Sequence, residues 1–225
     1  MIPWELLDSA QVPGNGEELR LYRRGEEFSI RVDSRELMNS RVHGSEDALA
    51  ELACARVADR TCPRVLTGGL GMGYTLAAAL HRLGAGARVI VAELVPAVVA
   101  WNRGPLADLA GHPLQDSRVT VREVDVARIL KEEHRLYDAI LLDVDNGPEG
   151  LTLKSNDWLY ARAGLDAAFA ALRPEGVLAV WSTIPNRVFA QRLRRVGFEV
   201  DEVGVRARGP RGGRRHTIWI AGRGP

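Results

Sequence analysis

Cysteine is nearly missing from this chain. Its two thiols, Cys54 and Cys62, are too few for a disulfide framework, and neither has metal-ligand partners at useful spacing. That favours a reducing compartment. An excess of one charge is missing too: 30 Lys and Arg stand against 29 Asp and Glu, a formal net charge of +1. The molecule as a whole is therefore no electrostatic nucleic-acid binder, and nucleic acid is not an expected partner. No apolar run approaches the roughly 18–20 residues of a membrane span. The opening Met1-Ile2-Pro3-Trp4-Glu5 has neither the basic nor the apolar region of a signal peptide. These absences lead to the expectation of a soluble, cytoplasmic protein with no membrane partner. Internal repeats and long linkers are absent as well.

What is present is a core and a glycine loop. With 225 residues and 46% hydrophobic content, a sizeable buried core is expected and disorder is not. The stretch Val65-Leu66-Thr67-Gly68-Gly69-Leu70-Gly71-Met72-Gly73-Tyr74 ends a short apolar run in Gly69, Gly71 and Gly73, and a helix-like segment follows. Glycines serve where the backbone turns sharply and must approach a ligand with no Cβ in the way. Glu93 closes the next apolar run, where a carboxylate can accept hydrogen bonds from two ribose hydroxyls. Together these features describe a nucleoside pocket at the start of a doubly wound α/β domain.

From Arg64 onward the rhythm is strand, helix, strand, helix. Strands are expected at 64–68, 88–93, 118–124, 138–143 and 176–181, and helices at 72–83, 96–103, 126–134, 157–172 and 186–196. Pro96 suits a first helical turn, Gly104-Pro105 should end that helix, and Arg173-Pro174-Glu175-Gly176 reads as a stop and turn. Strands near 198–206 and 215–221 follow with no helix between them, so the mostly parallel sheet should end in an antiparallel hairpin. Ahead of this domain, residues 1–16 read as an irregular lead-in, and 18–23 with 27–33 as a β-hairpin. A helix from Ser45 as N-cap, with Glu46 and Asp47 as first-turn acids, runs to about Asp59. His43 reads as a loop histidine. The expected division is a small hairpin region over 1–44 and a Rossmann-like, methyltransferase-type domain over 45–225.

In an open parallel sheet, ligands sit beyond the carboxyl ends of the strands at the switch point. With strand order 3-2-1-4-5, each of the first four strand ends offers something there. The first has the glycine loop and the second has Glu93. The third has Asp125, which could meet an adenine amine while the amide of Val126 meets a ring nitrogen; Asp125 is equally suited to N-cap the following helix. The fourth has Asp143, a carboxylate at the end of a buried strand, suited to hold, orient or deprotonate an amine. Asp145 and Asn146 fit turn chemistry more easily.

These residues resemble a known family. The loop Val65 to Tyr74, Glu93, Asp125, and Tyr137-Asp138-Ala139-Ile140-Leu141-Leu142-Asp143 followed by Gly147-Pro148 look like spermidine synthases, aminopropyltransferases built on the class I methyltransferase fold. The resemblance covers roughly residues 17 to 185. It implies that Glu93 binds ribose, Asp125 binds adenine and Asp143 acts on an attacking amine. It also implies S-adenosylmethionine or its decarboxylated form as donor and a small-molecule acceptor, an amine. Two positions depart from the family. Met72 stands where the family carries an aspartate that binds the donor's ammonium, and Asn146 stands in a loop that usually has a second aspartate before proline.

The absent loop aspartate points to methyl transfer. Aminopropyl transfer making a polyamine is the alternative, and a non-catalytic nucleoside-binding protein is a third reading. Arg206, Arg208, Arg211, Arg214 and Arg215 cluster at a glycine-rich hairpin tip, read either as a solvated loop or as a clamp for an acidic group. Trp181 and Trp158 could each wall a substrate pocket or pack the core. Oligomeric state stays open, with a homodimer as one option.

Overall fold

In the computed structural model, which describes residues 2–14, 16–144 and 157–225, the chain opens on four antiparallel strands. These are β1 (Glu5–Gln11), β2 (Glu18–Arg24), β3 (Glu27–Val32) and β4 (Arg35–Asn39), paired in that order. The expected hairpin is β2–β3. The lead-in is corrected: Glu5–Gln11 is a strand, pairing from Glu5 with Arg23 to Gln11 with Glu18. Its side chains are almost all exposed, so no buried face imprints an alternation on its sequence, and a register shift between Leu6 and Asp8 blurs it further. Leu19 and Leu21 of β2 and Phe28, Ile30 and Val32 of β3 alternate inward and are buried.

Helix α1 (Gly44–Ala55) follows, burying Leu49, Ala50, Ala53 and Cys54, and it ends short of Asp59. Ser45 is not its N-cap. His43 takes that place, and Ser45 is fully buried inside the first turn.

The second sheet alternates with helices as the apolar periodicity requires. Its first elements are β5 (Arg64–Gly68), α2 (Tyr74–Arg82), β6 (Arg88–Glu93), α3 (Pro96–Arg103), β7 (Val119–Glu123) and α4 (Val126–Glu132). Then come β8 (Tyr137–Leu142), α5 (Asp157–Tyr160), α6 (Arg162–Ala171), β9 (Leu172–Ser182), α7 (Arg187–Val196), β10 (Phe198–Arg206) and β11 (Arg215–Arg223). The order across the sheet is β10-β11-β9-β8-β5-β6-β7. The five parallel strands stand as expected, with the switch point between β5 and β8. Strand β11 runs antiparallel to both β9 and β10.

Two expected boundaries move. The helix over 157–172 is two helices, α5 and α6, and Gly164 lets them meet: a Cβ there would lie 2.2 Å from the Trp158 carbonyl oxygen. The stop at 173–176 is absorbed into β9 as an irregularity opposite Tyr137 and Ala139, with Glu175 at φ 58°. Asp138, 1% exposed, anchors this end of the sheet: it pairs with Arg60, with Arg173 at 3.0 Å, and accepts from the Arg64 amide at 2.7 Å. Arg60 also donates to the Glu175 carbonyl at 2.9 Å.

Apolar layers cover both faces of the large sheet. On one, Leu49, Leu76, Val89 and Leu141 share a continuous core with Leu21 and Ile30 of the small sheet. On the other, Ile129, Ile140, Phe189 and Trp219 pack together. Among the described residues, no helix is long and apolar enough to cross a membrane.

Candidate functional site

A cavity of about 180 Å³ opens at the carboxyl ends of β5, β6 and β8. Gly69, Gly71, Glu93, Asp125, Val126 and Asp143 all line it, so six of the seven residues singled out from the sequence converge. Gly73 is the exception. It caps α2 with φ 84° and does not line the cavity. The small sheet closes the opposite wall with Leu19, Ile30, Val32, Leu37 and Met38.

The geometry of the loop explains its composition. Gly69 has φ 89°, and a Cβ there would stand 2.6 Å from the Asp143 carbonyl oxygen. Only glycine lets the loop lie this close to the end of β8. A Cβ on Gly71 would meet the Met38 thioether, 2.7 Å from its terminal carbon. Met38 thus occupies the space a side chain at position 71 would claim. Met72 is 1% exposed in the apolar core and does not line the cavity.

Glu93 ends β6 with its carboxylate turned in. One oxygen accepts from the Leu70 amide at 2.9 Å, the other from the Val95 amide at 2.8 Å. Burial raises its pKa against the pull of these backbone donors. A carboxylate offers about four acceptor positions. The amides of Leu94 and Gly71 also lower the pKa of Glu93, so it holds the glycine loop from within the cavity wall. Asp125 also combines two roles. It lines the cavity and N-caps α4 through the Ala127 amide at 2.8 Å. Asp143 follows β8 directly and accepts from the Thr75 hydroxyl at 2.5 Å, while burial raises its pKa. Asp145, Asn146 and the loop to Pro148 lie outside the described residues.

The sequence reading missed one member of the site. Glu46, taken there as a helix-dipole acid, does lie in the first turn of α1, but it also lines the cavity. It accepts from the Ser45 hydroxyl at 2.6 Å. Burial, and then the neighbouring Asp143 charge, raise its pKa to about 8. Its neighbour Asp47 turns away to His43, 2.8 Å from Nδ1, and the His43 ring stacks on Tyr74 at 4.1 Å. His43 is therefore more than a loop histidine: it fixes the start of α1. A first-turn acid carries no sequence mark that distinguishes facing water from facing a cavity. The usable signal was topological, since α1 leads into the strand that ends in the glycine loop.

Of the two tryptophans, Trp181 at the end of β9 lines the cavity, and its buried indole N–H has no partner among the described residues. Trp158 does not; it lies under Lys131, 4.3 Å from the ring centre. The arginine-rich tip between β10 and β11 packs on the start of α1, where the Ala207 carbonyl accepts from the Gly44 amide at 2.9 Å. Among the described side chains, Arg206, Arg208, Arg214 and Arg215 do not line the cavity.

An α/β sheet of class I methyltransferase type, with a four-stranded antiparallel sheet closing the pocket, defines a spermidine synthase-like fold. Solved structures agree. Spermidine synthase from Thermotoga maritima matches with a TM-score of 0.75 and 17% identity, over 97% of this chain and 73% of that one. A spermidine synthase in complex with the transition state analogue AdoDATO gives 0.74 and 17%, over 97% and 72%. A probable spermidine synthase from Corynebacterium glutamicum ATCC 13032 gives 0.63 and 14%, over 97% and 79%. No protein-family model and no curated protein matches the sequence.

Proposed function

We propose that the cavity binds decarboxylated S-adenosylmethionine and that the protein transfers its aminopropyl group to a small amine. The charge of the lining carries this reading. Glu17, Glu46, Glu93, Asp125 and Asp143 line the cavity, and among the described residues no Lys, Arg or His does. The decarboxylated donor brings a sulfonium and an ammonium, both positive. S-adenosylmethionine adds a carboxylate, and two like charges about 6 Å apart at an effective dielectric of about 20 repel by roughly 3 kcal/mol. The sequence argument for methyl transfer rested on Met72, whose side chain is in the core and does not discriminate between donors. The bound AdoDATO of a structural neighbour supports the same donor chemistry.

In this reading Glu93 holds the ribose hydroxyls, while Asp125 and the Val126 amide meet the adenine. Asp143 and Glu46 face the amines. The acceptor's lone pair forms a bond to the propyl carbon attached to sulfur. The carbon–sulfur bond breaks with its electron pair left on sulfur, giving methylthioadenosine, and the proton of the new ammonium passes to a carboxylate. The test is incubation with each donor and a series of diamines, followed by product analysis. Methylthioadenosine from the decarboxylated donor, favoured at least about tenfold or roughly 1.4 kcal/mol, is expected. S-adenosylhomocysteine as the main product would mean methyl transfer. Binding of both donors without turnover would mean a nucleoside-binding protein.

A further inference from the structure

Aminopropyl transfer releases a proton inside a cavity rich in carboxylates, and hydrogen bonds lead from one of those carboxylates into β11. The Ser45 hydroxyl lies 2.6 Å from a Glu46 carboxylate oxygen and 2.9 Å from Nδ1 of His216. Ser45 itself is fully buried. His216 sits half-buried in β11, outside the cavity lining, with its ring edge-on to the cavity-lining Trp181 at 4.8 Å. A hydroxyl shared between a carboxylate and an imidazole can donate to one while accepting from the other, in either direction.

We propose that Glu46, Ser45 and His216 form a proton wire that carries the acceptor amine's proton from the cavity towards solvent. The proposal rests on the aminopropyl-transfer reading for the source of that proton. Glu46 takes the proton from the ammonium and becomes a carboxylic acid. Its O–H then gives the proton to the Ser45 oxygen, while the Ser45 hydroxyl gives its own to Nδ1 of His216. The imidazolium releases its Nε2 proton to water, and exchange with solvent restores the starting tautomer. No electron pair is gained or lost overall; one proton leaves.

The surroundings suit this traffic. Glu46 faces Asp143 from the end of β8, Asp47 on its own helix and Tyr74 from α2. Burial and these negative neighbours raise its pKa to about 8, so its ionised form takes up a proton readily and the group exchanges protons in the mildly alkaline range. His216 faces Arg214 in addition to Ser45 and Trp181. Burial, then the Arg214 charge, hold the ring below its usual pKa, so it passes a proton on without retaining it.

Two measurements test the wire. The first needs no turnover: NMR titration of the His216 ring. The wire predicts two inflections in wild type, one from the ring itself and a second near pH 8 from Glu46. The second should vanish in both Glu46→Gln and Ser45→Ala. A single inflection that Glu46→Gln leaves unchanged would overturn the proposal. The second measurement is turnover at low buffer concentration. His216→Ala should lower kcat on the order of tenfold, with donor KM unchanged, and added imidazole should restore it. Unaltered kcat, or a loss that imidazole does not restore, would remove the catalytic role. A wild type that forms no methylthioadenosine would overturn the functional reading instead, and the NMR result would still decide the wire.

Discussion

Glu93 and Glu46 are both inward-facing carboxylates, yet they fail differently when replaced. Glu93 accepts from two backbone amides and lines the cavity, so Glu93→Ala should remove donor binding and also destabilise the fold. Each buried amide left unsatisfied costs about 1–3 kcal/mol. Calorimetry and thermal unfolding on the same variant should show both losses; intact donor affinity would exclude Glu93 from the ribose contact. For Glu46 the effect is one of pH. Its pKa rises from 4.5 in the unfolded chain to about 8 in the fold. The native state therefore holds a proton that the unfolded state releases, and stability falls as pH rises between those values. The contribution is complete below the lower value and lost above the upper one. Glu46→Gln, which stays neutral, should flatten this slope. Wild type should melt several degrees lower at about pH 8.5 than at about pH 5.5, and the variant should shift less; parallel profiles would contradict the assignment.

At the scale of the element, β8 carries chemistry at one end and an anchor at the other. Asp138, paired with Arg60 and Arg173, is fully enclosed at the strand's start, and Asp143 follows its last residue. Asp138→Ala leaves the Arg64 amide unpaired, while the two partly exposed guanidinium groups turn to water, and should cost about 1–3 kcal/mol. Donor affinity measured below the melting temperature should not change, because Asp138 does not line the cavity. A lost affinity would mean that the two ends of the strand are coupled. The central strands were legible in the sequence because apolar runs such as Ala139 to Leu142 are buried throughout and bounded by turn residues. Strand β1 was not, since backbone pairing rather than side-chain burial defines it. The bulge at Glu175 was hidden for another reason: Pro174 and Gly176 mark a turn in any local reading, and partners far along the chain tie it into a strand, Arg60 on its carbonyl and the Gly224 carbonyl on its amide. The site shows the same division. Residues fixed by the loop and the strand ends were found, whereas Glu46, placed by how α1 packs, was not.

For the whole molecule, the small sheet is part of the core as well as a wall of the cavity. Leu19, Leu21, Phe28, Ile30 and Val32 are buried in the same cluster as the large sheet. Fully burying such side chains contributes about 1.5–3 kcal/mol each, a sum comparable to the roughly 5–15 kcal/mol by which whole domains are stable. A chain beginning at Gly44 should therefore show no cooperative thermal unfolding and no donor binding. A cooperative melt, followed by near-ultraviolet circular dichroism, would mean that the large sheet is self-sufficient. The order of the strands has a further consequence, for the sequence of folding events. Strand β10 precedes β11 in the chain but reaches the sheet only through it, since β11 lies between β9 and β10. As the chain folds, β10 must wait until Arg215–Arg223 has docked antiparallel on β9. For that interval the edge of β9 is open to neighbouring chains and to chaperones.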